Sequence, residues 1–170
     1  MQAELLGLPL IMIELPEVFP SNEIYQSTIV NALKQSSLTI DAVAFGDMFC
    51  NGIAYYRRSY IEPAGWECVF PLLGEESSKL AGEIIERGIE TFLVTIDTHA
   101  LSAEYCGQAY TKSLLENLPN GVDPCGEDGE FHTLVTKAPS FDGAIKVSLL
   151  EVDRGERFVH QRYLANISRD

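Results

Sequence analysis

Three observations make this 170-residue chain an α/β protein. Short apolar runs alternate with helix-period segments up to Ile96. Two of those runs end at Gly46-Asp47 and at Asp97, and in open α/β sheets ligands gather at such strand ends. From Phe131 onward the chain switches to longer strand-like runs joined by a turn sequence. The expected architecture is a partial parallel sheet, with strands near Leu10–Ile13, Asp41–Phe45 and Thr91–Ile96, continuing into a mixed α/β C-terminal half. Boundaries fall near Phe49–Gly52 and Pro119–Gly121, and the first divides the chain into residues 1–50 and residues 51–170.

Each element has its own signal. Met1–Gly7 reads as helical turns closed by Gly7, either the end of a longer upstream helix or a short N-terminal one. The strand Leu10–Ile13 follows, and Pro16 and Pro20 break the next stretch. Ser21 is placed to cap a helix over Asn22–Lys34, where Tyr25, Ile29 and Leu33 stack at four-residue spacing. Asp41–Phe45 is short and largely apolar, as in a buried parallel strand. Asp47 behind it either meets a ligand or caps the next helix. Ile53–Ile61 is a helix rich in Tyr and Arg; its Arg57 either packs on aromatic faces or meets a phosphate or carboxylate. Cys68–Phe70 is a short strand. Ser77 or Ser78 caps Lys79–Arg87, whose Leu80, Ile84 and Ile85 form the buried stripe before Gly88. Ser102–Leu118 mixes helix and loop. Phe131–Val135, Ala144–Glu151 and Arg157–Leu164 are strands, the last two joined by the turn Asp153-Arg154-Gly155-Glu156.

Composition narrows the function classes. Lys and Arg total 12 against 25 Asp and Glu, a net charge of -13. That balance argues against a broad nucleic-acid or anionic-membrane surface, yet it admits a nucleotide held by a few local donors. The early apolar run Leu8–Ile13 is far too short to span a bilayer. Cys50, Cys68, Cys106 and Cys125 contain no CxxC pair, so free thiols in a reducing cytoplasm are expected rather than a zinc knuckle.

The densest cluster of chemistry is Val122-Asp123-Pro124-Cys125-Gly126-Glu127-Asp128-Gly129-Glu130-Phe131-His132-Thr133. Gly126 and Gly129 permit positive φ, so the backbone can turn tightly there. Glu127 and Glu130 can then converge, with His132 presented by the following strand and Asp47 at the rim. Carboxylates in a dry pocket hold a small cation, and a histidine or a carboxylate of raised pKa can take its proton. The plainer alternative is a tight surface loop with His132 as a cross-strand residue.

Cys125–Thr133 resembles the signature of the diphthine–ammonia ligase family, whose usual wording has Asn where this chain has Asp128. Phe45-Gly46-Asp47-Met48-Phe49, Phe70-Pro71-Leu72, Leu118–Pro124 and Ala138-Pro139-Ser140-Phe141 look like the same family, in order, so the likeness runs from Gln2 to about Phe141. The resemblance implies a Rossmann-like, HUP-type sheet and an N-type ATP pyrophosphatase. Such an enzyme uses ATP with Mg to form an acyl-adenylate, releases pyrophosphate, and lets ammonia displace AMP to give an amide. It further implies Glu127, Glu130 and His132 as catalytic residues, and Gly126, Gly129 and Thr133 on the substrate side. Gly46, Asp47 and Arg57 fall at the nucleotide. Magnesium arriving with ATP fits the resemblance better than a protein-bound zinc. Adenine nucleotide and ammonium are the implied partners, with elongation factor 2 diphthine where the organism makes diphthamide.

The departures bear on activity. The family's Ser-Gly-Gly-Lys-Asp-Ser type phosphate loop has no counterpart here. Charges common in relatives near Asn51, Gly52 and Ala54 are missing, although Arg57 is kept. Leu73 replaces a common Trp, and Gln108 and Thr111 stand where a basic residue and an acid are frequent. The readings are a truncated ATP-dependent amide ligase, a stand-alone relative serving as a small-molecule-binding or partner subunit, or a structural domain. A homo-oligomer is expected, because a shortened sheet exposes an edge or an apolar face.

Overall fold

The computed structural model describes residues 1–49 and 52–169. Cys50 and Asn51, where the boundary between residues 1–50 and residues 51–170 falls, lie outside the described residues. The chain forms two compact units, one of Met1–Pro9 with Glu76–Asp170 and one of Leu10–Glu75.

The Leu10–Glu75 unit holds α2 (Asn22–Gln35), β1 (Ala42–Ala44), α3 (Ile53–Ile61) and β2 (Glu67–Val69). Ser21 caps α2, its Oγ accepting from the Ile24 N–H at 3.3 Å. β1 and β2 pair in parallel with Val43 opposite Cys68. Tyr60, Ile61 and Cys68 are buried together, and Ile29, Val30, Val43 and Phe45 pack against them. The expected strand at Leu10–Ile13 does not form; the segment is irregular, with Leu10 66% and Met12 83% exposed. An apolar run becomes a strand only when a neighbour pairs with its backbone hydrogen-bonding groups, and this one has no ladder partner among the described residues.

The other unit begins with α1 (Gln2–Leu5), which is pinned to the body of the unit. Leu5 is 1% exposed, its carbonyl accepts from the Asp142 N–H at 2.8 Å, and Gln2 Nε2 donates to the Val135 carbonyl at 2.9 Å. α4 (Ser77–Glu86) follows. Its N-cap residue is Glu76 and makes no side-chain cap; Ser77 lies inside the helix, a correction to the expected serine cap. Then come β3 (Glu90–Asp97), α5 (Lys112–Glu116), β4 (Phe131–Lys137), β5 (Ala144–Arg154) and β6 (Phe158–Ser168). The sheet order is β4-β3-β6-β5, and every neighbouring pair is antiparallel.

This arrangement corrects the parallel assignment of Thr91–Ile96. The strand exists, but it runs antiparallel to both neighbours, and the parallel sheet reduces to β1 and β2. β3 is nearly continuously buried because it is central, with Leu93 and Ile96 packed against Ala81 of α4, Leu114 of α5 and Phe131. Burial of that kind suits a parallel strand equally well, so hydrophobicity alone does not give direction. The fold is mixed α/β, a small parallel pair and a larger antiparallel sheet interleaved with helices. Among the described residues no helix is long and apolar enough to cross a membrane.

Candidate functional site

The loop leading into β4 is a chain of turns. Gly126 N–H donates to the Asp123 carbonyl at 2.9 Å, and Gly129 N–H to the Gly126 carbonyl at 3.0 Å. The Asp123 carboxylate accepts from the N–H groups of Cys125, 2.8 Å, and Glu127, 3.3 Å. Gly126 has φ +73°, and a Cβ there would meet the Phe131 carbonyl oxygen at 2.7 Å, so glycine is required twice over. Gly129 has φ +86° with open space around it. Tyr110 holds the loop from below, its hydroxyl donating to the Pro124 carbonyl at 2.6 Å. The Cys125 thiol reaches the Ser77 carbonyl at 3.3 Å. Burial, together with the negative charges of Asp123 and Glu127, pushes that thiol's pKa up to about 11, so it remains protonated.

Glu130 is the hub of this loop. It is 4% exposed; Oε1 accepts from the Asp123 N–H at 2.7 Å and Oε2 from the Asp128 N–H at 3.0 Å. Both oxygens thus close the turns around Gly126 and Gly129. Glu127 is exposed at the loop surface, and His132 and Thr133 are exposed on β4.

The register shows what accompanies His132. Thr95 of β3 lies directly between His132 of β4 and His160 of β6, and Asp153 of β5 pairs with His160. Directly paired residues project on one face, so these four form a row across the sheet. Thr95 Oγ1 and His160 Nδ1 are hydrogen-bonded at 3.0 Å. Two residues along β3, the Asp97 carboxylate accepts from Arg157 Nε at 2.9 Å and from the His99 N–H at 3.0 Å. Hydrogen bonding from Arg157 holds the Asp97 carboxyl below the usual carboxylate range, against the opposing effect of burial. Arg157 also lies over the Phe158 ring, which stacks on His160. All three histidines of the chain, His99, His132 and His160, therefore gather at the C-terminal end of β3. Thr95, Arg157 and His160 were not identifiable as neighbours of His132 from sequence. Asp97 carried the one available signal, an acid ending a strand.

Gly46, Asp47 and Arg57 belong to the Leu10–Glu75 unit. There Arg57 donates to Asp47 through Nε at 3.1 Å and Nη2 at 3.4 Å, and through Nη1 to the Tyr60 hydroxyl at 3.2 Å. Its guanidinium lies 4.8 Å from the Phe45 ring centroid. Burial works against the charge, but the bonds to Asp47 and Tyr60 outweigh it, and the pKa rises further. Gly46 is exposed beside this pair. Three of the guanidinium's N–H donors are thus engaged by Asp47 and Tyr60. Among the described residues no three His, Cys, Asp or Glu side chains group to hold a metal ion.

Residues 76–169, more than half of the chain, match the diphthamide synthase C-terminal domain. The matched segment coincides with the main portion of the unit that carries the loop and the histidine row. A comparison with curated proteins gives no match. The signature residues and the matched domain agree, and the chain belongs to the diphthamide synthase, or diphthine–ammonia ligase, family through that C-terminal domain.

Proposed function

We propose that this chain is a non-catalytic member of the family, acting as a small-molecule-binding or partner subunit through the row formed by His132, Thr95 and His160 on one face of the sheet. One observation carries the reading. Glu130, the acid best placed by sequence for chemistry, spends both oxygens on the Asp123 and Asp128 N–H groups. It shapes the loop and leaves exposed His132, beside Thr95, as the group offered to a ligand. Two imidazoles flanking a hydroxyl suit an amine- or hydroxyl-bearing ligand by exchanging hydrogen bonds.

The ATP-dependent amide ligase is the competing reading, with Glu127, Glu130 and His132 as catalytic residues. It assigns ATP and Mg to Gly46, Asp47 and Arg57 on a HUP-type Rossmann-like layer. It takes ammonium as nucleophile and elongation factor 2 diphthine as acceptor. Under this reading Arg57 gives up Asp47 to reach a phosphate, and Glu130 gives up two backbone bonds. A nucleotide-binding segment over residues 1–50, a substrate-side segment over residues 51–170, a cytoplasmic location and a homo-oligomer complete that proposal.

The test is pyrophosphate release by the purified chain with Mg-ATP and ammonium, with and without candidate acceptors. The binding reading expects no release above the protein-free blank. Sustained turnover overturns it in favour of the ligase.

A further inference from the structure

We propose that the unit holding Glu76–Asp170 carries a separate binding cleft, at the start of β3, for an uncharged apolar small molecule. The cleft has a volume of about 540 Å³, within the range of small-molecule sites, roughly 300–1,000 Å³. Phe92 of β3, Ile85 of α4, Ile89 just after it, and Ile145, Val147 and Leu149 of β5 supply its apolar walls. Leu149 is 50% exposed there, a large aliphatic side chain left to water.

The polar side chains of the lining define the ligand by what they have already given away. Thr91 Oγ1 donates to the Leu134 carbonyl at 2.8 Å, and Thr136 Oγ1 to the Glu90 carbonyl at 3.1 Å. Thr111 accepts from the Leu114 N–H at 3.2 Å as the cap of α5, and the Tyr110 hydroxyl is bound to Pro124. Both charged groups at the rim have a partner of opposite sign, Glu90 with Lys137 at 3.2 Å and Lys112 with Glu116 at 3.9 Å. Thr111 keeps its O–H and the other hydroxyls keep lone pairs, but the walls offer few such groups, so a ligand carrying a charge or several polar atoms would leave water for too few partners, which is unfavourable. The chain's net charge of -13 weighs further against an anion. An uncharged apolar molecule gives up no hydrogen bonds on entry and gains the burial of half-exposed Leu149 and of Val147.

The probe is N-phenyl-1-naphthylamine, a neutral apolar fluorophore, titrated into the purified full chain with thermal melts alongside. Val147→Trp fills the cleft, whereas Ser148→Trp puts the same side chain on the opposite face of β5. Ala109→Trp, on an exposed position of the lining, is the second filling variant if Val147→Trp fails to fold. The expected result is saturable binding by the parent chain and Ser148→Trp, and at least tenfold weaker binding by a folded filling variant. Binding that does not saturate, or that is equal in filling variant and control, overturns the proposal. So does a dimer in light scattering that Ala109→Trp converts to monomer, because the occupant would then be a second copy. None of these outcomes depends on pyrophosphate release.

Discussion

Glu130 and Gly126 hold residues 123–130 in shape by different means, and the two can be separated. Glu130 accepts two backbone N–H groups inside the protein. Glu130→Gln keeps the size but replaces one acceptor oxygen by an N–H donor facing another N–H. The expected loss is about 1–3 kcal/mol, read as a lower denaturant midpoint at unchanged slope. A change below about 0.5 kcal/mol, the scale of an ordinary surface substitution, would mean the clamp is not structural. Gly126→Ala meets both a left-handed backbone and the Phe131 carbonyl, whereas Gly129→Ala meets only the backbone term. Gly129→Ala is expected to cost about 1–2 kcal/mol, and Gly126→Ala distinctly more, in the same measurement. Equal losses would remove the close-approach argument. The sequence announced the glycines, because tight turns require them. It could not tell whether Glu130 faces a ligand or its own backbone, since both uses suit a carboxylate between two glycines.

At the scale of elements, the Asp97–Arg157 pair ties the end of β3 to the residue that precedes β6. The folded Asp97 carboxyl titrates below its unfolded value, because Arg157 donates to its charged form. A depressed carboxyl pKa stabilises in full above the unfolded value, about pH 4, and the contribution fades as pH falls through the folded one. Arg157→Gln is therefore expected to show a constant stability deficit at neutral pH that shrinks below about pH 4. Denaturant midpoints of parent and variant across that range check this; a deficit that persists undiminished into strong acid assigns the effect to packing on Phe158 instead. Elements with local signals were legible. Ile53–Ile61 forms over the bounds its pattern gives, and the three C-terminal strands run two to four residues further at their C-terminal ends, the last starting at Phe158 rather than Arg157 and β5 taking in Asp153 and Arg154 of the expected turn. Direction and partnership were not legible. Thr95 and His160 are 65 residues apart, and no local pattern encodes which strands meet. Leu10–Ile13 failed for the same reason, because its partner strand was assumed rather than read.

For the molecule as a whole, the unit matched to the family does not consist of the matched segment alone. Met1–Pro9 belongs to it across a long break in sequence. The attachment is specific: Leu5 is buried to 1%, its carbonyl receives the Asp142 N–H, and Gln2 reaches the Val135 carbonyl. Arg169 adds ion pairs to Glu4 at 3.2 Å and Asp142 at 3.4 Å, joining both ends of the chain to the turn between β4 and β5. The exposed ion pairs add little, so the anchor is Leu5. Leu5→Ala is expected to destabilise this unit by about 2–5 kcal/mol, as for other buried leucines. Amide exchange locates the effect. Protection should fall first at Asp142, whose N–H bonds to the Leu5 carbonyl, and then along the neighbouring ends of β4 and β5, while α2 and α3 keep theirs. Arg169→Gln serves as the contrast and should leave the same amides within experimental scatter. Loss of protection in α2 and α3 with Asp142 unchanged would place Met1–Pro9 with the Leu10–Glu75 unit and undo that attachment.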